Sequence, residues 1–282
     1  MQRTSTRIPV LMYHSISQVD NPKFKQFAVP VTAFGEQMAY LSRHHYTPMT
    51  VTQLMQARSE AGHSLPERPV VLTFDDGYTD FLTAALPLLQ KYGFPATLYI
   101  ATAFINGTSA WLQREGEAAR PILTWEQLRE TIRCGIECGA HSHSHPQLDM
   151  LPCSLAQGEI MLSKRLLERH LGQEIFSFAY PYGYYNAQLH LLLRTAGFTS
   201  ACAVKHHMYT ERSNPFALPR LMVTADTNIS RFAALLTGAS SSPGAAVHTL
   251  YARARTPVWR VVRQCSTLVT HYIDNRKRRL VR

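Results

Sequence analysis

Long hydrophobic runs are missing from this 282-residue chain. No stretch approaches about 18 uninterrupted apolar residues, so a membrane-spanning helix is not expected. The N-terminal segment MQRTSTRIPVLMYHSI starts basic but has neither an apolar core nor a small-residue cleavage site. No secretory signal is visible in it, and a cytoplasmic or cytoplasmic-membrane-associated protein is expected unless a signal has been removed. Cysteine is sparse and odd in number (Cys134, Cys138, Cys153, Cys202, Cys265), which argues against a disulfide framework. Cys134 and Cys138 have no second thiol pair to complete a zinc knuckle and read as core cysteines. The 14 Gly and 16 Pro are dispersed, which excludes a collagen-like or proline-rich fibre. The hydrophobic fraction of 45% supports a sizeable core, so intrinsic disorder is excluded.

Acidic residues are also in short supply, 19 against 29 Lys and Arg, for a net charge of +10. The imbalance is local. Between Tyr251 and Arg282 nine basic residues face only Asp274, so the first 250 residues carry about +2. A Gly/Ser/Pro-rich stretch, Thr237–Ala246, precedes this tail and reads as a linker. The expected organisation is a catalytic body over 1–236, a flexible joint over 237–246 and a basic, helical tail over 247–282. Clustered cations mixed with apolar residues suit an anionic membrane surface, and a solvated helix with a basic tip suits them equally.

Short continuous apolar runs mark strands at Val10–Tyr13, Val70–Phe74, Ala96–Ile100, Ile136–Ala140, Ser177–Tyr180, Ser200–Val204 and Leu218–Val223. Runs without alternation fit strands covered on both faces, as in a parallel sheet. Helical signals fall between them. Thr124 and Gln127 form a capping-box pattern ahead of a helix that Gly135 ends, and Ser154 and Gln157 repeat it before Leu155–Leu171 and Gly172. Gly93 and Gly197 close two more helical patterns. Alternating strands and helices imply an α/β fold, and both an open sheet and a barrel satisfy the pattern.

Four segments carry candidate chemistry, each just after an apolar strand, where α/β barrels keep catalytic groups. Thr73-Phe-Asp75-Asp76-Gly77 holds adjacent carboxylates, which on a strand point in opposite directions. One could bind a metal while the other faces the reacting atom; alone, Asp-Gly is also a common turn. His141-Ser-His143-Ser-His145 offers three imidazoles. His141 and His145 share a face whether the segment is helical or extended, whereas His143 joins them only if it is extended. Imidazoles with a carboxylate suit zinc and similar divalent ions. Tyr180-Pro-Tyr182-Gly183-Tyr184 forms a rigid turn whose backbone N–H groups could face an oxyanion and whose rings could stack on a sugar. His14, in Met12-Tyr-His-Ser15, gains interest only from its place beside the others.

Together these segments resemble the polysaccharide deacetylase family, the NodB-homology domains of carbohydrate esterase family four. The resemblance covers roughly residues 8–225, in the family's order: TFDDG, then HSHSH, then YPYG. It implies a distorted (β/α) barrel with an incomplete strand count. It also implies one divalent metal ion on Asp76, His141 and His145, with zinc first and cobalt, nickel or iron as alternatives. Asp75 would be the base that takes a proton from the metal-held water, and the Tyr182 backbone N–H the oxyanion donor. The substrate class implied is a glycan carrying N-acetyl amino sugars.

Two departures stand out. Family members carry an Arg three residues before the aromatic of the third motif, and this chain has Ala179 there. No C-terminal Leu-x-His motif supplies the usual acid. MYHSI instead resembles the subgroup of poly-N-acetylglucosamine deacetylases in which an N-terminal His serves, which maps the acid onto His14. Arg220 is the candidate for the missing arginine. An amidase acting on a small cyclic or linear amide is the alternative enzyme. A non-catalytic glycan- or nucleic-acid-binding protein is the alternative class, although no nucleic-acid module is recognisable and none is expected as a partner. Trp111, in a polar stretch, reads either as part of a lid over the cleft or as an ordinary surface loop.

Overall fold

The computed structural model describes residues 7–59 and 65–239. Beyond residue 239, the linker and the basic tail with its membrane reading lie outside the described residues. Among those described, no helix is long and apolar enough to cross a membrane.

Eight strands form one sheet: β1 (Val10–Tyr13), β2 (Thr47–Met49), β3 (Pro69–Phe74), β4 (Thr97–Ile100), β5 (Glu137–Ala140), β6 (Ser177–Ala179), β7 (Ser200–Cys202) and β8 (Leu221–Met222). Their order is β7-β6-β5-β4-β3-β1-β8, with β2 paired to β3, and every pairing is parallel. A parallel bridge between Cys202 and Leu218 ties the β7 edge to the segment entering β8, so the sheet curls toward closure. This is the expected distorted barrel. The expected strand Leu218–Val223 shortens to two residues, because Leu218 pairs toward β7 while Leu221 and Met222 pair with β1.

Among the described residues, seven α-helices surround the sheet: α1 (Val31–Arg43), α2 (Val51–Ser59), α3 (Leu86–Tyr92), α4 (Trp125–Arg133), α5 (Cys153–Leu171), α6 (Ala187–Thr195) and α7 (Ile229–Thr237). The Thr124 capping box on α4 forms as expected, with Gln127 N–H donating to Thr124 Oγ1 at 3.1 Å and Thr124 N–H to Gln127 Oε1 at 2.9 Å. The Ser154 box does not form. α5 starts two residues earlier than Leu155, at Cys153, after Pro152, and no side chain caps it. Pro152 is extended, with its φ already near the helical value, so the helix begins before Ser154 can act as a cap. α7 runs to Thr237, and Gly238 closes it in the left-handed conformation.

Period-two alternation sorts the strand residues into two layers. Leu11, Tyr13, Leu72, Phe74, Leu98, Ile100, Ala140 and Phe178 join the large core under the helices. Val10, Val71, Tyr99, Ala179, Cys202 and Leu218 form a second cluster inside the barrel. Carried on past the strand ends, the inner series runs from Val10 to His14, from Val71 to Asp75 and from Gly139 to His141. The alternation that buries the apolar residues thus delivers the candidate chemistry to the C-terminal mouth.

Candidate active site

Asp75 continues the inward face of β3, and its carboxylate meets a fully buried arginine. Arg220 Nη1 donates to Asp75 Oδ1 at 2.6 Å and Nη2 to Oδ2 at 2.7 Å, the two-pronged geometry that orients a carboxylate firmly. The guanidinium is held in turn by Thr73 Oγ1 at 3.2 Å and Ala203 O at 3.3 Å, and it lies 5.6 Å from the centroid of the Tyr99 ring. Gly139 makes room for that ring, since a Cβ there would sit 2.4 Å from it. Burial would raise the Asp75 pKa, but Arg220 and then His141 outweigh it, and the carboxyl titrates below its ordinary value. Arg220, 41 residues after Ala179 in the chain, is thus the arginine that contacts Asp75.

Asp76 would point outward if β3 continued. Instead it takes φ +76°, and Gly77 follows at +78°. That reversal turns the second carboxylate into the mouth as well. Position 77 admits only glycine, because a Cβ would lie 2.6 Å from Ile100 Cδ1. Two histidines converge on the same oxygen, with His145 Nε2 3.2 Å and His141 Nε2 3.5 Å from Asp76 Oδ1. Burial opposes ionisation of Asp76, but both histidines outweigh it and hold its pKa well below the ordinary value.

The segment between the histidines is neither extended nor helical. Ser142 and His145 adopt left-handed φ values of +64° and +58°, so both imidazoles reach Asp76 while His143 turns away. His143 Nδ1 lies 2.9 Å from Thr102 Oγ1, which takes His143 out of the ligand set. His141 Nδ1 donates to Ala179 O at 2.8 Å, which fixes the ring so that Nε2 is the atom facing Asp76. Burial lowers the His141 pKa, and Asp76 with Asp75 more than reverses this; for His145, burial prevails and the pKa falls. Four of the seven described non-glycine residues with left-handed backbone are Asp76, Ser142, His145 and Tyr182. Strain of roughly 1–3 kcal/mol each is thus gathered at one place, as functional sites gather it.

These three side chains suit a divalent cation. Asp76, His141 and His145 are buried, and their ligand atoms lie within 4.8 Å of one another. Asp76 Oδ1 and His145 Nδ1 are buried without a hydrogen-bond partner among the described residues. Two imidazoles and a carboxylate make a normal zinc-type donor set with room for further ligands.

His14 continues the inward face of β1 and packs edge-on against Phe27 at 5.0 Å. Burial lowers its pKa, while Asp76 and Asp75 pull it back up. Tyr182, at φ +59° in the Pro181–Gly183 turn, meets His145 edge-on at 4.9 Å with its side chain half exposed. Trp111 lies in a short 3₁₀ turn and stacks on His145 at 5.0 Å. Its loop is tied down by Arg120, whose Nη2 donates to Ser15 Oγ at 2.6 Å and to Asp80 Oδ2 at 3.0 Å. Trp111 is therefore a wall of the mouth. Cys138 joins the main core and Cys134 packs against it.

The sequence reading passed over Asp80, Arg120, Tyr99 and Glu159, the last of which accepts hydrogen bonds from the histidine loop. Asp80 stands four residues after Asp76 and could have been noticed; the others carry no local signal.

Residues 62–201 match a family model described as polysaccharide deacetylase. The chain is 29% identical over 232 residues to YxkH of Bacillus subtilis (strain 168), provisionally named a polysaccharide deacetylase, covering 82% of this chain and 76% of that one. It is 23% identical over 213 residues to the poly-beta-1,6-N-acetyl-D-glucosamine N-deacetylase of Staphylococcus aureus (strain MRSA252), covering 72% and 70%. Among solved structures, the deacetylase PplD of Streptococcus pyogenes in complex with acetate superposes with a TM-score of 0.71 at 26% identity, covering 83% of this chain and 99% of that one. Fold, motif order and these likenesses agree: the chain is a deacetylase-type hydrolase, and residues 62–201 form a polysaccharide deacetylase domain.

Proposed function

We propose that this protein removes N-acetyl groups from amino sugars of a polysaccharide with the help of one divalent metal ion, zinc by preference. The observation that carries the reading is the division of labour between adjacent carboxylates. Asp75 is clamped by Arg220, while Asp76 faces His141 and His145. The names of the staphylococcal relative and of the streptococcal acetate complex support this substrate and product.

Asp76, His141 and His145 would hold the cation, which when bound supplies an electrophile and lowers the pKa of water toward about 7. Asp75, kept ionised and aimed by Arg220, accepts a proton from the attacking water as its oxygen bonds to the acetamide carbon. The Tyr182 backbone N–H donates to the oxyanion, and such a donor is worth roughly 10²–10³ in rate. His14 delivers a proton to the leaving nitrogen, the C–N bond breaks, and the products are acetate and a free amine. Positioned acids and bases contribute roughly 10²–10⁴ each. Trp111 and Tyr182 flank His145 and offer aromatic faces to a sugar ring.

Acetate release should be measured on N-acetylglucosamine oligomers of several linkages and on small cyclic and linear amides. Release from the oligomers alone, abolished by chelation and restored by zinc, is the expected result. Release from the small amides alone would replace this reading with the amidase. Wild-type turnover in His14→Ala would remove His14 as the acid.

A further inference from the structure

The histidine loop is anchored by a side chain that none of the sequence motifs contains. Between His141 and His145 the chain makes two left-handed steps, at Ser142 and at His145 itself. Its peptide groups are held from two sides. On one side the loop carbonyls accept from the 3₁₀ turn that follows β4, with Thr102 N–H to Ser142 O at 3.3 Å and Ala103 N–H to His143 O at 2.8 Å. On the other side the loop N–H groups donate to a single carboxylate on α5. Glu159 Oε2 accepts from His143 N–H at 2.9 Å and from Ser144 N–H at 2.7 Å. Glu159 Oε1 accepts from the Ser144 hydroxyl at 2.6 Å. Within the loop, His145 N–H donates to Ser142 Oγ at 3.1 Å.

We infer that Glu159 is a positioning residue for the metal site: by holding the N–H groups of His143 and Ser144 it keeps the loop in the one path that brings His145 onto Asp76. Glu159 touches neither the candidate ligands' side chains nor the reacting atoms, so it acts only through the backbone. The hold from the turn after β4 is made by main-chain groups and by Thr102. Glu159 holds the clamp from α5, and the two N–H groups converging on one of its oxygens fix the turn between the histidines. Groups that orient metal ligands from behind typically change metal affinity by 10–100-fold when removed. The inference rests on the metal reading of Asp76, His141 and His145.

Zinc affinity, measured by competition with a chromophoric chelator on the purified full chain, separates the possibilities. The wild type and Asp76→Ala come first. One zinc bound by the wild type and lost in Asp76→Ala supports the metal site; no zinc in the wild type overturns the site and not the role of Glu159 alone. Glu159→Ala should then bind zinc roughly 10–100-fold more weakly, with a changed visible spectrum when saturated with cobalt. Glu159→Gln keeps one oxygen at the right reach for both N–H groups and should stay within about threefold of wild type. Glu159→Asp keeps the charge but falls short of the loop, and should weaken binding toward the alanine value. These two variants decide the matter if Glu159→Ala fails to fold. Wild-type affinity and cobalt spectrum in both Glu159→Ala and Glu159→Asp would overturn the inference. So would tight binding by Glu159→Asp with loss in Glu159→Gln, which would make charge rather than reach the cause.

Discussion

The exits of β3 and β5 bring their functional side chains together by different physical means. At the β3 exit, Asp75 and Asp76 are fixed by close packing and a buried ion pair, with Gly77 against Ile100 and Arg220 fully inside the barrel. At the β5 exit the path of the loop from His141 to His145 is fixed by hydrogen bonds, with Ser142 holding His145 N–H and Thr102 and Glu159 holding His143, while His141 is held by Ala179 O. Packing and buried charge are coupled to the folding of the whole domain, whereas a hydrogen-bonded loop can loosen locally. Changes at the first exit should therefore cost folding stability, and changes at the second should cost metal affinity with the fold intact.

The largest effect is expected from Arg220→Met. It leaves the Asp75 carboxylate buried without its partner, and breaking a buried pair in this way costs about 3–5 kcal/mol. Chemical denaturation of the metal-free protein measures it, and a loss under about 1 kcal/mol would contradict the coupling. The same pair sets a pH dependence. In the wild type the Asp75 pKa lies below its ordinary value of 3.8, so the stability it contributes is present above that value and lost as pH falls through the folded pKa. In Arg220→Met the strongest lowering influence on Asp75 is gone and burial is opposed only by His141 and His14, so its pKa rises relative to the wild type. The gap between the two proteins should widen from acid toward neutral pH; a constant gap would show that the pair is not its cause.

Gly77→Ala comes next. A side chain at φ +78° facing Ile100 should destabilise by about 1–3 kcal/mol, read as a lower melting temperature. Ser142→Ala removes the acceptor of the buried His145 N–H at the other exit and should cost about 1–3 kcal/mol. Its zinc affinity should fall by a larger factor than its folding equilibrium does. The reverse outcome, a large stability loss with unchanged zinc affinity, would erase the distinction between the exits.

Much of this architecture is legible in the sequence because its strands are covered on both faces. Val70–Phe74 and Val10–Tyr13 are unbroken apolar runs and stand close to where they were expected. β2 is not legible: Thr47-Pro-Met49 is three residues long with a proline, tolerated because β2 pairs on one side only. The false capping box at Ser154 shows that a local pattern yields to a proline two residues earlier. At the site, the ligand triad was visible because its members stand beside strand ends. The path of the histidine loop was not, since both extended and helical spacing satisfied it and only left-handed steps at Ser142 and His145 exclude His143. Arg220 stands 145 residues from Asp75 and was reached through the gap at Ala179. Glu159 and Arg120 contact loops from distant positions, and no spacing rule reports such contacts.

The division between the adjacent carboxylates is tested most directly by one paired measurement, zinc content and acetate release from N-acetylglucosamine oligomers in Asp75→Asn and Asp76→Asn. The expected result is that Asp75→Asn binds one zinc as the wild type does while releasing acetate roughly 10²–10⁴ times more slowly, and that Asp76→Asn loses the zinc. Wild-type turnover in Asp75→Asn, or wild-type zinc binding in Asp76→Asn, would contradict it.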